Sequence, residues 1–209
     1  MGRESSTMQS IFIQRATKKS EYVVILNPPE ELRRKIAVAR DSFRKKYQIP
    51  NNPLAKPYLT LARFSQVEFM EERIMNRLKL IAMAHRPFLV ELRDFGSYPA
   101  HTIFINVATR QPIKDLIRVI KPLQKLLTLD SEHKPYVVDE PVFTLGRRLK
   151  PWQFSQAWPE YSSRHFTARF VADSFLLLKK AEGEKSYMVA GRYDFQNLPI
   201  ATVQGELFL

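Results

Sequence analysis

The chain contains no cysteine. That absence removes disulfides, thiolate metal ligands and thiol nucleophiles together, and it accords with a reducing compartment, so the cytoplasm is the expected setting. Glycine is scarce, with six in 209 residues. They do not cluster as a phosphate loop or a dinucleotide turn requires, which sets aside nucleotide fingerprints built on backbone amides. No apolar run approaches the roughly 18 residues that cross a bilayer, and Met1 to Ser20 lacks the continuous hydrophobic stretch of a secretory signal, so no membrane association is expected. Met1-Gly2 with Ser6 fits the short myristoylation pattern, but a flexible basic tail over residues 1–20 is the plainer expectation. Histidine is also sparse. His85, His101, His133 and His165 have no partners at metal-ligand spacing, so neither a metal nor another cofactor is expected. Carboxylates are outnumbered, 21 Asp and Glu against 33 Lys and Arg, leaving a formal charge of +12. A field of that sign concentrates anions, whether nucleic acid, nucleotide or acidic lipid, without choosing among them.

What is present reads as one compact unit with an internal repeat. At 44% apolar residues, the chain can bury a substantial core without staples. Tyr22 to Leu26 is a β-type run ended by Asn27-Pro28-Pro29. It leads into an amphipathic helix from about Glu30 to Tyr47, with Leu32, Ile36, Ala39 and Phe43 on one stripe. The basic residues of that segment, Arg40 and Arg44 among them, are expected toward solvent. A Pro/Asn-rich loop from Gln48 to Lys56 delivers the strand Pro57 to Phe64. A helix from about Phe69 to Ala84 and a strand from Phe88 to Phe95 complete the half.

The second half repeats the order. Thr102 to Val107 is a strand, and a helix begins near Pro112 with Ile113, Leu116, Ile117 and Ile120 on one face, kinked or ended at Pro122. A loop from about Thr128 to Glu140 leads to Pro141-Val142-Phe143-Thr144-Leu145-Gly146-Arg147-Arg148. Then come an aromatic segment around Trp152, Phe154, Trp158 and Tyr161, a long strand from about His165 to Lys179, and a last strand from Tyr187 to Phe195. The expected division is one domain over residues 21–199, with lobes over about 21–98 and 101–196 and a C-terminal tail over 200–209. The fold class is α+β, with two pseudo-symmetric lobes whose antiparallel-rich sheets flank a central cleft and whose helices lie outside.

The octets beginning at Pro57 and Pro141 share Pro, Thr, Leu and Arg at four matched offsets, a repeat signature in both sequence and order of elements. Lys56-Pro-Tyr-Leu-Thr-Leu-Ala-Arg63 and Glu140-Pro-Val-Phe-Thr-Leu-Gly-Arg147 resemble the paired motifs of the 2H phosphoesterase superfamily, which includes 2′-5′ RNA ligase and 2′,3′-cyclic phosphodiesterase-like proteins. The resemblance extends over nearly the whole chain after the tail. It implies a strand from each lobe bearing His-x-Thr/Ser, the two strands facing each other across a cleft. Residues two apart on a strand share a face, so each motif presents an imidazole and a hydroxyl to one phosphate. One imidazole then takes a proton while the other gives one, and the hydroxyls hold the phosphoryl oxygens.

Here Tyr58 and Val142 occupy the two histidine positions, while Thr60, Thr144, Arg63 and Arg147 match the pattern. A tyrosine with an ordinary pKa of about 10 is a poor base at neutral pH, and valine transfers no proton. The implied protein is catalytically degenerate and binds a phosphorylated small molecule or an RNA end through the two threonines and two arginines, the latter suited to bidentate anion contact. Two other readings follow from the same residues. One is a working cyclic phosphodiesterase or ligase that recruits Tyr58 or a histidine. The other is a non-catalytic interaction scaffold whose cleft is filled by Tyr58 and Val142. His165-Phe166-Thr167 is the one literal His-x-Thr, but it lacks the flanking Pro and the Leu-small-Arg. The aromatics from Trp152 to Tyr161 are expected to pack in a core or lid rather than stack on bases.

Overall fold

The computed structural model describes residues 18–50 and 56–198. The expected C-terminal tail and most of the N-terminal one fall outside them. The tail gives way earlier than expected, because β1 begins at Lys19 and Ser20 is already buried.

Among the described residues there are nine strands: β1 (Lys19–Leu26), β2 (Leu59–Val67), β3 (Phe88–Tyr98), β4 (Thr102–Val107), β5 (Tyr136–Val137), β6 (Phe143–Arg147), β7 (Thr167–Ala172), β8 (Ser174–Ala181) and β9 (Met188–Asp194). The helices are α1 (Glu30–Lys46), α2 (Glu71–Ala84), α3 (Gln111–Ile120), α4 (Gln124–Leu127) and α5 (Pro151–Ser162). The strands form two antiparallel sheets, ordered β5-β2-β1-β8-β9 and β6-β4-β3-β7. The α+β class and two-lobed form expected of the sequence are those observed.

The sheets place β2 and β6 in matching positions, each beside the strand that opens its half, β1 or β4. The halves are not self-contained, however. The closing strand of the first half, β3, lies in the second sheet, and β8 and β9 lie in the first. The expected boundary near residues 98–101 is therefore a hairpin rather than a division between lobes. A turn of only three residues, Pro99 to His101, joins β3 to β4, and so short a link obliges the two strands to pair antiparallel. The expected single strand from His165 to Lys179 is likewise two strands. Asp173 separates β7, paired to β3, from β8, paired to β1.

β1 is apolar on both faces because both are covered. Val24 and Leu26 enter the main core, whereas Val23 and Ile25 join Leu176 and Leu178 in a smaller apolar cluster. The main core runs without a break from β1 and β2 through Ile74 and Leu78 of α2 to Ile103, Ile117 and Phe143. Helix α1 begins after Pro29 with Glu30 and Glu31 in its first turn and ends on Arg44, Lys45 and Lys46, an arrangement that complements its dipole. α3 buries Ile113, Leu116, Ile117 and Ile120 as its spacing predicts, and Pro122 sits in the 3-10 turn Lys121–Leu123 that ends it.

Candidate functional site

The two motif strands share a backbone irregularity that brings their matched Thr and Arg side chains onto one face. Along the β1–β2 ladder, Val24 faces Ala62 and Ile25 faces Thr60, so Leu61 has no partner. Along β4–β6, Ile103 faces Gly146 and Phe104 faces Thr144, and Leu145 is skipped in the same way. Each is a β-bulge, two residues opposing one. Both runs, Leu59–Arg63 and Phe143–Arg147, show one burial sequence: buried, half-buried, buried, buried, exposed. In a regular strand, residues three apart point to opposite faces. The bulge cancels that alternation, so Thr60 shares a face with Arg63, and Thr144 with Arg147.

That shared face opens onto a cleft of about 1440 Å³ lined by Tyr58, Thr60, Arg63, Val142, Thr144 and Arg147. All six positions singled out from the sequence therefore meet on one cavity. Tyr58, together with Tyr187, packs against the cluster of Val23, Ile25, Leu176 and Leu178, the apolar floor of the first lobe's side. Val142 is half-buried and also faces a smaller cavity of about 80 Å³ beside Tyr98 and Ile113. The cleft is open at both positions and is not filled by their side chains.

Other cleft residues escape sequence reasoning. Arg40, expected toward solvent, is only 6% exposed. It lies in the cleft wall, where its Nε donates to the carbonyl oxygen of Thr144 at 3.2 Å. Burial is the chief influence on its guanidinium and lowers its pKa, with Arg44 acting in the same direction. Arg44 is half-buried and lines the same wall. The helical pattern marks Arg40 as polar, but only the packing of α1 on β6 shows what it faces. Trp152 is 42% exposed and lines the cleft, whereas Phe154 and Trp158 stack on each other against the core and Tyr161 is buried. The expected packing role thus holds for three of the four aromatics.

The cleft is strongly basic: seven Lys and Arg line it against one carboxylate, Glu140. On the first motif's side, Glu21 lies close enough to Arg63 to feel its charge. Tyr187 Oη donates to Glu21 Oε2 at 2.6 Å. That bond does most to hold the Glu21 carboxyl below its usual range; burial opposes it and Lys180 assists. Burial first, and then the Glu21 hydrogen bond, pushes the Tyr187 phenol up to about 12.

Of the four histidines, His101 alone lines the cleft; its Nδ1 lies 2.6 Å from Thr102 Oγ1. His85 packs between Phe88 and Phe195, His133 sits against Asp130, and His165 against Asp94. The literal His-x-Thr at 165–167 is accordingly outside the cleft. Among the described residues no three His, Asp or Glu side chains gather as a metal site, and no helix is long and apolar enough to cross a membrane.

The model of the 2′-5′ RNA ligase superfamily matches residues 28–184, a span that contains both bulged strands. The chain belongs to that superfamily. Solved structures of the same fold include TT0787 of Thermus thermophilus, 19% identical with a TM-score of 0.59 over 86% of this chain and 100% of that one. Escherichia coli LigT in its apo form is 15% identical with a TM-score of 0.54, over 86% of this chain and 99% of that one. LigT complexed with 3′-AMP is 16% identical with a TM-score of 0.56, over 85% and 98% respectively. No curated protein matches the sequence at a significant level.

Proposed function

We propose that this member of the 2′-5′ RNA ligase superfamily binds a phosphorylated ligand, an RNA end or a nucleotide, in the cleft between its sheets and has lost ordinary acid/base turnover. The observation that carries the reading is the pair of matched bulges, which turn Thr60 with Arg63 and Thr144 with Arg147 onto one basic cleft. Two hydroxyls and two guanidiniums suffice to hold a phosphoryl group by charge-assisted hydrogen bonds. The proton-transfer positions hold Tyr58 and Val142. Removing a positioned acid or base costs about 10²- to 10⁴-fold in rate, and removing both leaves orientation and electrostatic stabilisation. The complex of LigT with 3′-AMP is consistent with a nucleotide as ligand. A cysteine-free chain suits the cytoplasm, a location that cell fractionation checks.

Titration with 3′-AMP, a 2′,3′-cyclic nucleotide and short RNAs ending in a cyclic phosphate tests the reading. Binding is expected, and Arg63→Ala and Arg147→Ala should each weaken it about 10-fold or more. No binding, or binding indifferent to both changes, overturns it.

A second reading, residual phosphodiesterase activity, is favoured by the position of His101 on the cleft beside Thr102, the residue that pairs with Arg147 across the sheet. Opening of a cyclic phosphate that His101→Ala abolishes, with Tyr58→Phe as the parallel variant, would replace degeneracy with this reading.

A further inference from the structure

Helix α2 ends without a glycine after its last turn and without a basic side chain in it. The carbonyl groups that a helix C-terminus leaves without internal partners must therefore find donors elsewhere. They find them in the residues that follow β9. The Gln196 backbone N–H donates to the Ala82 carbonyl at 3.4 Å, that of Asn197 to His85 at 2.9 Å and that of Leu198 to Met83 at 2.8 Å. Asn197 takes a φ of 54° here, a left-handed conformation that asparagine adopts more readily than most residues. Residues Phe195 to Leu198 thus form a strap across the helix end.

His85 is the C-cap of α2 and packs against that strap. Its ring lies 5.0 Å from Phe195 and 5.7 Å from Phe88, nearly perpendicular to both, and the two phenyl rings stack on each other at 6.0 Å. Phe88 and Phe195 are themselves buried. The His85 Nε2 is also buried, with no hydrogen-bond partner among the described residues.

This arrangement suits a neutral imidazole and penalises its cation. An imidazolium donates from both ring nitrogens, so beneath the strap it carries a buried N–H with no acceptor. The carbonyls of Ala82, Met83 and His85 already accept from the strap amides. With the strap away, water reaches the ring and the freed carbonyls, and a cation at a helix C-terminus is favoured by the helix dipole. The proton thus binds the open state more tightly than the strapped one, and that difference is what moves such an equilibrium. Of the influences on the ring, burial is the largest and lowers its pKa; Asp115 of α3 opposes burial, and Arg86, next in the chain, reinforces it. Asp115 is itself engaged by Arg118 at 3.2 Å and by Gln111 at 2.9 Å. β3 and the strap meet the ring with phenyl groups, Phe88 and Phe195.

We infer that His85 is a pH-sensitive latch, which keeps the strap Phe195–Leu198 on the end of α2 while neutral and releases it on protonation in mildly acidic solution. None of these residues lines the cleft, so the inference stands apart from the cleft reading.

A histidine whose folded pKa is lowered leaves stability untouched above its ordinary value of 6.5 and reduces it as pH falls below that value. Amide hydrogen exchange of the whole chain, followed by NMR from about pH 7.5 to about pH 5.5 and corrected for the intrinsic rate, tests the latch. Protection of the Asn197 and Leu198 amides should fall between about 3- and 10-fold, since one proton contributes at most about tenfold per pH unit. The amides of β4 should keep theirs. His85→Gln, which has no proton to gain, should make strap protection independent of pH, and so should His85→Phe. His133→Gln and His165→Gln, at surface histidines beside Asp130 and Asp94, should leave the fall unchanged. If His85→Phe loosens the strap at every pH, His85→Gln decides. Strap protection that does not change with pH overturns the latch, as does a fall that persists in His85→Gln. A parallel loss of protection in β4 overturns it as well, because the proton then acts on the whole fold.

Discussion

β2 and β6 carry one backbone solution with two different contents. Each skips a leucine, Leu61 or Leu145, each shows the same order of buried and exposed residues, and each lies beside the opening strand of its half. What differs is at the edges. Tyr58 precedes β2 on an apolar floor it shares with Tyr187, whereas Val142 precedes β6 in the wall between the large cleft and a small second cavity. Ala62 follows one bulge and Gly146 the other. The difference teaches that the same bulge forms whether a tyrosine or a valine precedes the strand. Ladder register and core packing fix the bulge and so keep Thr and Arg on the cleft.

The most severe test of that comparison is to refill both positions. If the frames are equivalent and intact, Tyr58→His combined with Val142→His should raise hydrolysis of a 2′,3′-cyclic nucleotide by about 10²- to 10⁴-fold over the unaltered protein. Either change alone should do far less, since an acid without its base completes only half the transfer. A double variant that folds, binds nucleotide and remains at the starting rate would show that the strands are no longer aligned for chemistry.

The packing behind the second strand should yield the next largest effect. Phe43 is fully buried, with Tyr47 and Tyr161 rings 5.0 and 4.9 Å from its own, and it lies directly against Gly146. Phe43→Ala should lower stability by about 3–5 kcal/mol in chemical denaturation. Gly146→Ala meets the same ring from the other side, its new Cβ falling 2.6 Å from Phe43 Cε1 and 2.9 Å from Leu149 Cδ2. A cost of about 1–3 kcal/mol is expected for such overpacking. The matched change in the other lobe, Ala62→Gly, should cost only about 0.5–1 kcal/mol, because it removes a methyl and stiffness but forces nothing apart. Equal costs would mean that the two bulges are held alike, against the packing described.

The repeat, the α+β class and the six motif positions were legible in the sequence because they depend on local pattern: alternation, turn residues and matched offsets. The bulges were not. An offset of three between Thr and Arg looks wrong for a strand until the partner's register is known, and register is a property of two strands. The exchange of β3 and β8 between sheets was hidden for a related reason. His165 to Lys179 reads as one long strand, and Asp173 becomes a break only because its two sides pair with different partners. Arg40 shows the same limit on a helix. Its neighbours in sequence mark it as solvent-facing, while its hydrogen-bond acceptor, Thr144, lies 104 residues away.

The smallest effect expected separates the two arginines. Glu21 stands near enough to Arg63 to feel its charge without an ion-pair contact to it, held by Tyr187 and by Lys180 at 3.2 Å. Its folded pKa lies below its ordinary value of 4.5. A lowered carboxylate pKa stabilises the fold fully above the unfolded value, and that contribution disappears as pH falls through the folded one. The side chain is 44% exposed, so solvent screening keeps the contribution under about 1 kcal/mol. Glu21→Gln should therefore lower the denaturation midpoint slightly at pH 7 and by less at pH 3. The same change removes a negative charge beside one motif only. At low salt it should tighten phosphate binding about 2-fold, a gain that persists in Arg147→Ala and is lost in Arg63→Ala. If the gain survives in both variants or in neither, the carboxylate does not act through Arg63, and the two lobes hold their anion alike.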